Sequence, residues 1–238
     1  MKRIPNAILV PGSITWIERR LSNLLNLPIL ACEPVVVETL KSRSYVKKVF
    51  MEASVNIPIG AHDIYSSDDL YIALSRLVSS NLDVQKWKCK LNQDHNNESV
   101  IVLDTSKLPI MSQLRHEQAT LFDQNNGNTS SWFSRPVQLS VRKRLVETFQ
   151  KEFTKAVRIC RIDIYPTFHD WHMRARRIGS VVEAEPIERL GYVDGLCYVA
   201  PTGKITMYVC EYVEVMFRRL LLCSIVVIFH YYWCTRKL

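Results

Sequence analysis

Hydrophobic and polar residues alternate most regularly in the stretch VQKWKCKLNQDHNNESVIVLD, residues 84–104. Lysines occupy the even-numbered positions, as Lys86, Lys88 and Lys90. Apolar residues occupy the odd-numbered positions between and after them, as Trp87, Cys89 and Leu91. Successive side chains of a strand point to opposite faces, so this pattern predicts a strand with one buried face and one lysine-bearing face. The polar run NQDHNN is typical of a hairpin turn because Asn and Asp tolerate positive φ, and a second apolar run follows it.

The lysine row has two interpretations. Lysines on an edge strand discourage aggregation, so the row could belong to a solvated edge of the sheet. Alternatively, a lysine-bearing hairpin can hold phosphate groups, and the ammonium row would then be a binding surface. The choice between the two depends on the rest of the chain.

The beginning of the chain predicts one β-α step. Residues 8–10 are apolar and β-prone, Pro11 and Gly12 break the strand, and Thr15 with Glu18 matches the capping box of a helix start. One glycine is too few for a dinucleotide-binding fingerprint. We therefore expect a partial α/β element over residues 1–39.

Apolar residues recur at helical spacing in two segments that follow. The first segment carries Val46, Val49, Phe50 and Ala53, and the second carries Leu70, Leu74, Leu77 and Val78. This spacing predicts two helices, the second capped by Ser66 or Ser67. Between them, NIPIG predicts an extended segment because the residue before Pro58 is pushed out of the helical conformation. The order helix, strand, helix and hairpin indicates a compact α+β unit.

The second half of the chain predicts a long helix and an antiparallel sheet. Residues 123–136 form a turn-rich loop, and residues 141–158 have a helical pattern. The stretches GSVVEAEP and GLCYVAPTGKITMYV predict strands, two of them joined by a Pro-Thr-Gly-Lys turn. His169 and His172 could share a helical face, but no third ligand is evident, so we expect no metal site.

Composition adds a charge bias and an expected location. The 238 residues carry 31 Lys and Arg against 23 Asp and Glu, and the resulting net charge of +8 favours anionic partners. The seven cysteines are scattered without CxxC spacing, so we expect neither a zinc site nor a disulfide framework, and a reducing, cytoplasmic location. The apolar residues 220–233 fall short of the roughly 20 that span a bilayer, so we expect a buried segment and no membrane partner.

The order of these motifs resembles the ATP-grasp family. LKSRSYVKKVFMEASVNIPIG is similar to the family's lysine before a helix that ends in an AGIPVP-like segment, and KWKCKLN to its second lysine on a strand. SVVEAEP is similar to the hinge strand that ends in a glutamate at the adenine pocket, and YVAPTGKITMYV to the P-x-G-K-I hairpin. The stretches LDTSKL and VVEAEP, with Trp171, indicate one particular branch of the family.

The resemblance implies an ATP-binding site built on two separate elements. The implied contacts are Lys41 and Lys90, or less well Lys88, for the phosphates, and Glu183 with the backbone of Ala184 and Glu185 for the adenine. Ammonium groups on separate elements can hold phosphates from two sides without a P-loop. One lysine of the row would then bind phosphate, and the others would shape a positive approach surface.

The resemblance also implies a division of the chain into subdomains. Residues 40–105 would form the small subdomain of helices and antiparallel sheet that carries the lysine hairpin. Residues 106–210 would contain the hinge and the start of the second sheet subdomain, and residues 211–238 an apolar tail of uncertain origin. The implied fold class is thus α+β and ATP-grasp-like.

Two departures from the family pattern argue against turnover. The hairpin tip NQDHNNESV contains no glycine, whereas the family has glycines there so that backbone amides can approach the anion. The family's magnesium ligands are acids and an asparagine on late strands, and neither Glu211 nor Glu214 has that asparagine context. Mg²⁺ neutralises the phosphates during acyl-phosphate formation. We therefore expect a truncated domain that binds ATP without turnover, with Mg²⁺ only if its ligands come from elsewhere and with no assigned catalytic residue.

Two alternatives stay open at this point. An active enzyme would be an ATP-dependent ligase that forms an acyl-phosphate from a carboxylate and couples it to an amine or thiol. A nucleic-acid-binding domain would instead use two basic clusters, one of Arg142, Lys143 and Arg144 and one of Arg174, Arg176 and Arg177. The second alternative predicts that binding to RNA or DNA depends steeply on salt concentration.

Overall fold

The chain consists of two compact units, one of Lys41–Ile187 and one of Met1–Leu40 with Glu188–Leu238. A computed structural model describes the following residues: 7–93, 98–185, 193–199, 202, 204–211 and 229–231. Within these residues both sheets are antiparallel and are accompanied by helices, which confirms the predicted α+β class. The subdomain boundaries after residues 39, 105 and 210 stay predictions.

Two helices begin at the capping residues that the sequence indicates. In the described part of the chain the helices are α1 (Trp16–Leu25), α2 (Pro34–Leu40), α3 (Arg43–Glu52), α4 (Ser67–Ser80), α5 (Ile110–Gln124), α6 (Arg135–Ala156) and α7 (Phe168–Ile178). Ser66 Oγ accepts from the Asp69 N–H at 3.0 Å, and the Asp69 carboxylate accepts from the Ser66 N–H at 3.1 Å. This capping box pairs N–H groups that the first turn of α4 leaves without partners. The predicted box of Thr15 and Glu18 at α1 is also confirmed.

The strands fall into two sheets. Those that the structure describes are β1 (Gly60–Ile64), β2 (Lys86–Leu91), β3 (Ile101–Asp104), β4 (Val157–Ile159), β5 (Ser180–Ala184), β6 (Val193–Val199), β7 (Ile205–Glu211) and β8 (Phe229–Tyr231). The larger unit contains a five-stranded sheet in the order β1-β5-β2-β3-β4, and the smaller unit a three-stranded sheet in the order β7-β6-β8. Antiparallel pairing of β2 with β3 and of β6 with β7 confirms both predicted hairpins.

The lysine-bearing strand β2 is the middle strand of the larger sheet, with β5 on one side and β3 on the other. Its apolar residues Trp87, Cys89 and Leu91 are completely buried, as the alternating pattern predicts. Since both edges of β2 carry a neighbouring strand, the interpretation of the lysine row as a solvated sheet edge is wrong. The lysines instead lie on a face of the sheet.

Helices cover the apolar face of the five-stranded sheet. Contacts join α4 to α6 and α6 to β3, and α7 to β2, and the core between them includes Leu74, Phe149, Phe153 and Trp171. Helix α6 extends from Arg135 and so includes residues that the sequence assigned to a loop. Helix α3 contacts β1 and β5, and its fully buried residues are the polar Ser44 and Lys47. This helix therefore lies on the charged face of the sheet rather than in the core.

The smaller unit contains the helix of the predicted β-α step, but residues 8–10 form one isolated bridge instead of a strand. Leu9 and Ile29 form a single parallel bridge, and α1 lies between them in the chain. Of the apolar segment 220–233, the described residues form β8, which pairs with β6. No helix in the described part of the chain combines the length and the apolar character needed to cross a membrane.

Candidate functional site

A group of ion pairs lies on the charged face of the five-stranded sheet. We call it the charged cluster, and its members are Lys47, Lys88, Lys90, Glu183 and Glu185. Lys90 Nζ donates to Oε2 of Glu183 at 2.5 Å, and Lys88 Nζ lies 3.1 Å from Oε1 of Glu185. Both pairs are diagonal, because the register places Lys88 opposite Glu183. The structure thus brings together four of the residues that the sequence predicts for the site.

Lys47 of α3 joins the same cluster, although the sequence interpretation did not include it. Its Nζ lies 2.6 Å from Oε1 of Glu183, and its side chain is only 9% exposed. Glu183 therefore receives one ammonium group on each carboxylate oxygen, Lys47 on Oε1 and Lys90 on Oε2. Helix α3 and strand β2, which are far apart in the sequence, thus each provide an ammonium group to the same carboxylate.

The electrostatics of the cluster keep Glu183 ionised despite its burial. Burial of the carboxyl raises its pKa, but the ammonium groups of Lys90 and Lys47 outweigh that effect and lower the pKa to about 2. Lys88 is paired with Glu185, so three ammonium groups face two carboxylates. The charged cluster as a whole carries one net positive charge at neutral pH.

Hydrogen bonds fix the N-terminal turn of α3 to the end of β2 and so position Lys47. The Ser44 N–H and hydroxyl donate to Oδ1 of Asn92 at 3.1 and 2.7 Å. Asn92 is buried, and its amide donates to the carbonyl of Ile178 at 3.0 Å. The Ser44 hydroxyl in turn accepts from the N–H of Asp63, and the Arg43 guanidinium donates to the carbonyl of Leu91. A buried network of this kind makes α3 a rigid support for the Lys47 ammonium.

The predicted adenine side lies at the end of β5 and in the segment directly after it. The N–H of Ala184 donates to the carbonyl of Ile59, and the N–H of Glu185 donates to the carbonyl of Lys86, both at 2.8 Å. These two donors are therefore engaged in the sheet. Residues 186–192, which continue the predicted hinge, lie outside the described residues, so recognition of the base by this segment stays a prediction.

Lys41, the other predicted phosphate contact, lies outside the charged cluster in the described part of the chain. It is exposed and directly precedes Ser42, the N-cap residue of α3. Two further predicted features lie outside the described residues, the hairpin tip at residues 94–97 and Glu214, whereas Glu211 is the last residue of β7. The contribution of Lys41 stays a prediction.

In the described structure, the candidate metal ligands and the two basic clusters do not converge as the charged cluster does. In the described residues no group of three or more His, Cys, Asp or Glu side chains is arranged to hold a metal ion. Arg142 donates to the hydroxyl of Ser79, and Arg144 makes two hydrogen bonds, of 2.9 and 3.0 Å, to the Glu117 carboxylate. Two members of the first basic cluster are thus engaged within the unit, whereas Arg174, Arg176 and Arg177 of the second are exposed.

A cavity of about 690 Å³ lies between α5 and α6 and is separate from the charged cluster. Trp132 and Val141 contribute to its largely apolar lining, together with the Arg144 and Glu117 pair. None of the predicted nucleotide contacts lines this cavity. The cavity and the converging functional groups therefore lie in different parts of the chain. We take the charged cluster as the candidate site because its functional groups converge.

Comparison with known proteins agrees with the motif order. The family described as "IQCH-like, ATP-grasp" matches residues 34–217, a range that includes every member of the charged cluster. IQ motif-containing protein H of Danio rerio is 25% identical over 222 residues, which cover 88% of this chain and 20% of that protein. The chain thus spans about a fifth of the length of this relative. No solved structure gives a significant match. The branch indicated by LDTSKL and VVEAEP is confirmed, and this chain belongs to the IQCH-like ATP-grasp family.

Proposed function

We propose that this chain is a nucleotide-binding domain that holds ATP on the charged face of its five-stranded sheet without turning it over. The observation that carries the proposal is the convergence of Lys47 and Lys90 on Glu183, in a chain of an ATP-grasp family. The proposal is supported by the chemistry of the two ammonium groups and the carboxylate. The proposal concerns this chain, and not the four-fifths of its longer relative that the chain does not match.

The charged cluster has the properties that a phosphate site needs. Lysine ammonium groups are compact cations with three donors each, and they bind phosphate as point charges. Two of them are held by separate elements, and the partly buried setting strengthens their attraction to an anion relative to bulk water. The net charge of +8 favours the approach of a polyphosphate.

The proposed adenine contacts are argued from their position beside the lysine-bearing strand. Glu183 and Ala184 end the strand next to the lysine-bearing strand, and Glu185 follows them. A nucleotide whose phosphates lie at Lys90 would therefore place its base near the segment after this strand. The carboxylate of Glu183 would accept from the exocyclic amino group of adenine. The phosphate contacts from Lys41 and Lys88 belong to the same proposal.

Binding without turnover is proposed because the sequence offers no match to the family's magnesium ligands on its late strands. ATP-grasp chemistry needs Mg²⁺ to bridge and neutralise the phosphates as the acyl-phosphate forms. Glu211 at the end of β7 lacks the asparagine context that would complete such a site. We therefore assign the charged cluster a binding role and assign no catalytic residue.

Calorimetry on the purified chain tests the proposal, with ATP as titrant in the presence and absence of Mg²⁺. We expect Lys90→Ala to weaken ATP binding by at least about tenfold, because a charge-assisted hydrogen bond contributes about 1.5–3 kcal/mol. Lys86→Ala is the matched control, since Lys86 lies on the same strand as Lys90 and on the same face of the sheet, but is exposed. Its substitution removes one positive charge without touching the cluster.

Two results would contradict the proposal. Equal ATP affinities of the Lys90→Ala and Lys86→Ala variants, or no ATP binding to the folded chain, would remove the phosphate role of the cluster. Release of ADP from Mg-ATP in the presence of a carboxylate and an amine would contradict binding without turnover and favour the ligase alternative. A Lys90→Ala variant that also fails to release ADP would place that activity at the same site.

A further inference from the structure

We infer that Lys47 and Lys90 form one two-ammonium site for a phosphate group, and that Glu183 is the internal counter-ion which the phosphate displaces. The inference rests on the proposed function and extends it to a residue, Lys47, and to a role of Glu183 that the motif order does not imply. The ligand class is the polyphosphate of a nucleotide.

The geometry of the Glu183 carboxylate supports this assignment. Its two oxygens are bound by different ammonium groups, Oε1 by Lys47 at 2.6 Å and Oε2 by Lys90 at 2.5 Å. A phosphate group presents pairs of oxygens at a similar spacing, so the same two cations can accept a phosphate without a change in the backbone of α3 or β2. The carboxylate thus occupies the position in which a phosphate would be held.

The position of Lys47 is unusual for a purely structural residue. It is the most buried lysine of the cluster, and α3 buries it together with Ser44, while the apolar residues of this helix are half-buried or exposed. Burying an ion pair adds little to stability, since a well-packed apolar pair of similar volume often does as well or better. A helix that needed only to pack on this sheet would have an apolar residue at this position.

The charge balance favours exchange of the counter-ion. Among the described residues, the ion pairs of Lys47 and Lys90 both go to the one carboxylate of Glu183, so these three groups have a formal net charge of +1. A phosphate with two negative charges would balance both ammonium groups, and Glu183 would then be released from them. The released carboxylate would be available for the base, which links phosphate binding to the adenine role proposed above.

The inference predicts that Glu183 competes with phosphate, and this distinguishes it from a residue that only contacts adenine. Removing the charge in Glu183→Gln should tighten the binding of inorganic tripolyphosphate, which has no base. Asp63→Asn is the matched control because it removes the same charge from a carboxylate outside the charged cluster, one that is paired with Lys48. An adenine acceptor with no link to the ammonium groups would leave tripolyphosphate binding the same in both variants.

The experiment is calorimetry on the full chain with tripolyphosphate, ATP and adenosine, without Mg²⁺. We expect Glu183→Gln to bind tripolyphosphate about fivefold or more tightly than Asp63→Asn does. We expect Lys47→Met to lose about tenfold or more in affinity for tripolyphosphate and ATP, with adenosine unchanged. The control for Lys47 is Lys48→Met, which removes the neighbouring lysine, paired with Asp63, and should change each affinity by less than about twofold.

The outcomes separate this inference from the proposed function. If ATP binding depends on Lys90 but is equal in Lys47→Met and Lys48→Met, the proposed function stands and the two-ammonium site is overturned. If the chain binds tripolyphosphate through Lys47 but does not bind ATP, the site stands as an anion site and the nucleotide function fails. Should Lys47→Met not fold, the comparison of Glu183→Gln with Asp63→Asn decides, and equal tripolyphosphate affinities would overturn the inference.

Discussion

Nζ of Lys47 on α3 lies 2.6 Å from Oε1 of Glu183 on β5. This ion pair joins a helix to the charged face of the sheet, whose other face forms the core. Most sheet-covering helices present apolar residues, whereas α3 presents Ser44 and Lys47. The pair therefore has consequences both for stability and for the availability of the Lys47 ammonium.

The stability of the folded chain should depend on the ionisation of Glu183 at low pH. Its pKa is lowered from 4.5 to about 2 in the folded state, so its contribution is fully present above about pH 4.5 and is lost as the pH falls towards 2. A shift of this size corresponds to roughly 3 kcal/mol in the free energy of unfolding. The glutamine variant Glu183→Gln cannot lose this contribution.

Urea unfolding between pH 6 and pH 2.5 measures this effect. Other carboxyl groups also have lowered pKa values, among them Glu117 and Asp170, so the quantity to follow is the difference between the wild type and Glu183→Gln. We expect the wild type to lose stability relative to the variant below pH 4.5. Parallel profiles of the two proteins over this range would show that Glu183 is not held by Lys47 and Lys90.

Removal of Lys47 should destabilise the fold more than removal of its neighbour. Lys47→Met leaves the buried Glu183 carboxylate with one ammonium partner, and we expect a loss of about 1–3 kcal/mol in the free energy of unfolding. Lys48→Met breaks a more exposed pair with Asp63 and should cost less than about 1 kcal/mol. Replacing Glu183 by Leu together with Lys47→Met should recover part of the loss, and equal losses for the two single lysine variants would contradict the structure.

The strand-level organisation follows from sequence because its signals are local. The period of two at Trp87, Cys89 and Leu91 predicts which face of β2 is buried, and Ser66 marks the start of α4 by its capping chemistry. Lys90 and Glu183 could be named as site residues through the order of motifs. Their mutual contact could not, because it depends on a diagonal pairing between strands far apart in the chain.

Lys47 was missed for a physical reason. Helix prediction searches for a stripe of apolar residues, and α3 has one, but the helix rests on a charged surface and so buries its polar side instead. The available signal was the spacing of Ser44 and Lys47 at i and i+3. Helix α5 was missed because its pattern is weak: only Met111 and Leu114 are fully buried among its 15 residues, so tertiary packing decides its structure.

Gly60 should not tolerate a side chain, because β1 and β5 approach each other closely there. Gly60 is opposite Glu183 in the register, and a Cβ at this position would lie 2.0 Å from the carbonyl oxygen of Val182. We expect Gly60→Ala to cost about 2 kcal/mol or more in the free energy of unfolding, since the backbone must shift. On the proposed function, the same shift would move Glu183 and weaken ATP binding.

Gly127→Ala is the comparison for Gly60→Ala. Gly127 has a φ of +82°, but a Cβ there would meet only the ring of Phe122, at 3.5 Å. Its substitution should therefore cost about 1 kcal/mol from backbone strain alone, with no change in ligand binding. If thermal or urea unfolding ranked Gly127→Ala as the more damaging variant, the close approach of β1 and β5 would be in doubt.

The buried tryptophans should respond differently to replacement by phenylalanine. Trp171 Nε1 donates to the carbonyl of Ser99 at 2.6 Å and Trp132 Nε1 to that of Ser79 at 2.9 Å, whereas Trp87 Nε1 is buried without a hydrogen-bond partner in the described structure. Each replacement removes a similar volume from the core, but Trp171→Phe and Trp132→Phe also take a donor away from a buried carbonyl. Trp87→Phe instead removes a polar group whose burial is uncompensated.

We therefore expect Trp87→Phe to be the mildest of the three replacements, by about 1 kcal/mol or more in the free energy of unfolding by urea. In Trp132→Phe the Ser79 carbonyl keeps a second donor, the Gln138 amide, which should limit the loss of stability. Since Trp87 lies on β2 between Lys86 and Lys88, a mild loss of stability would leave the charged cluster assembled and ATP binding intact. A loss for Trp87→Phe as large as that for Trp171→Phe would mean that the indole N–H of Trp87 has a partner, and that the strand below the cluster packs differently.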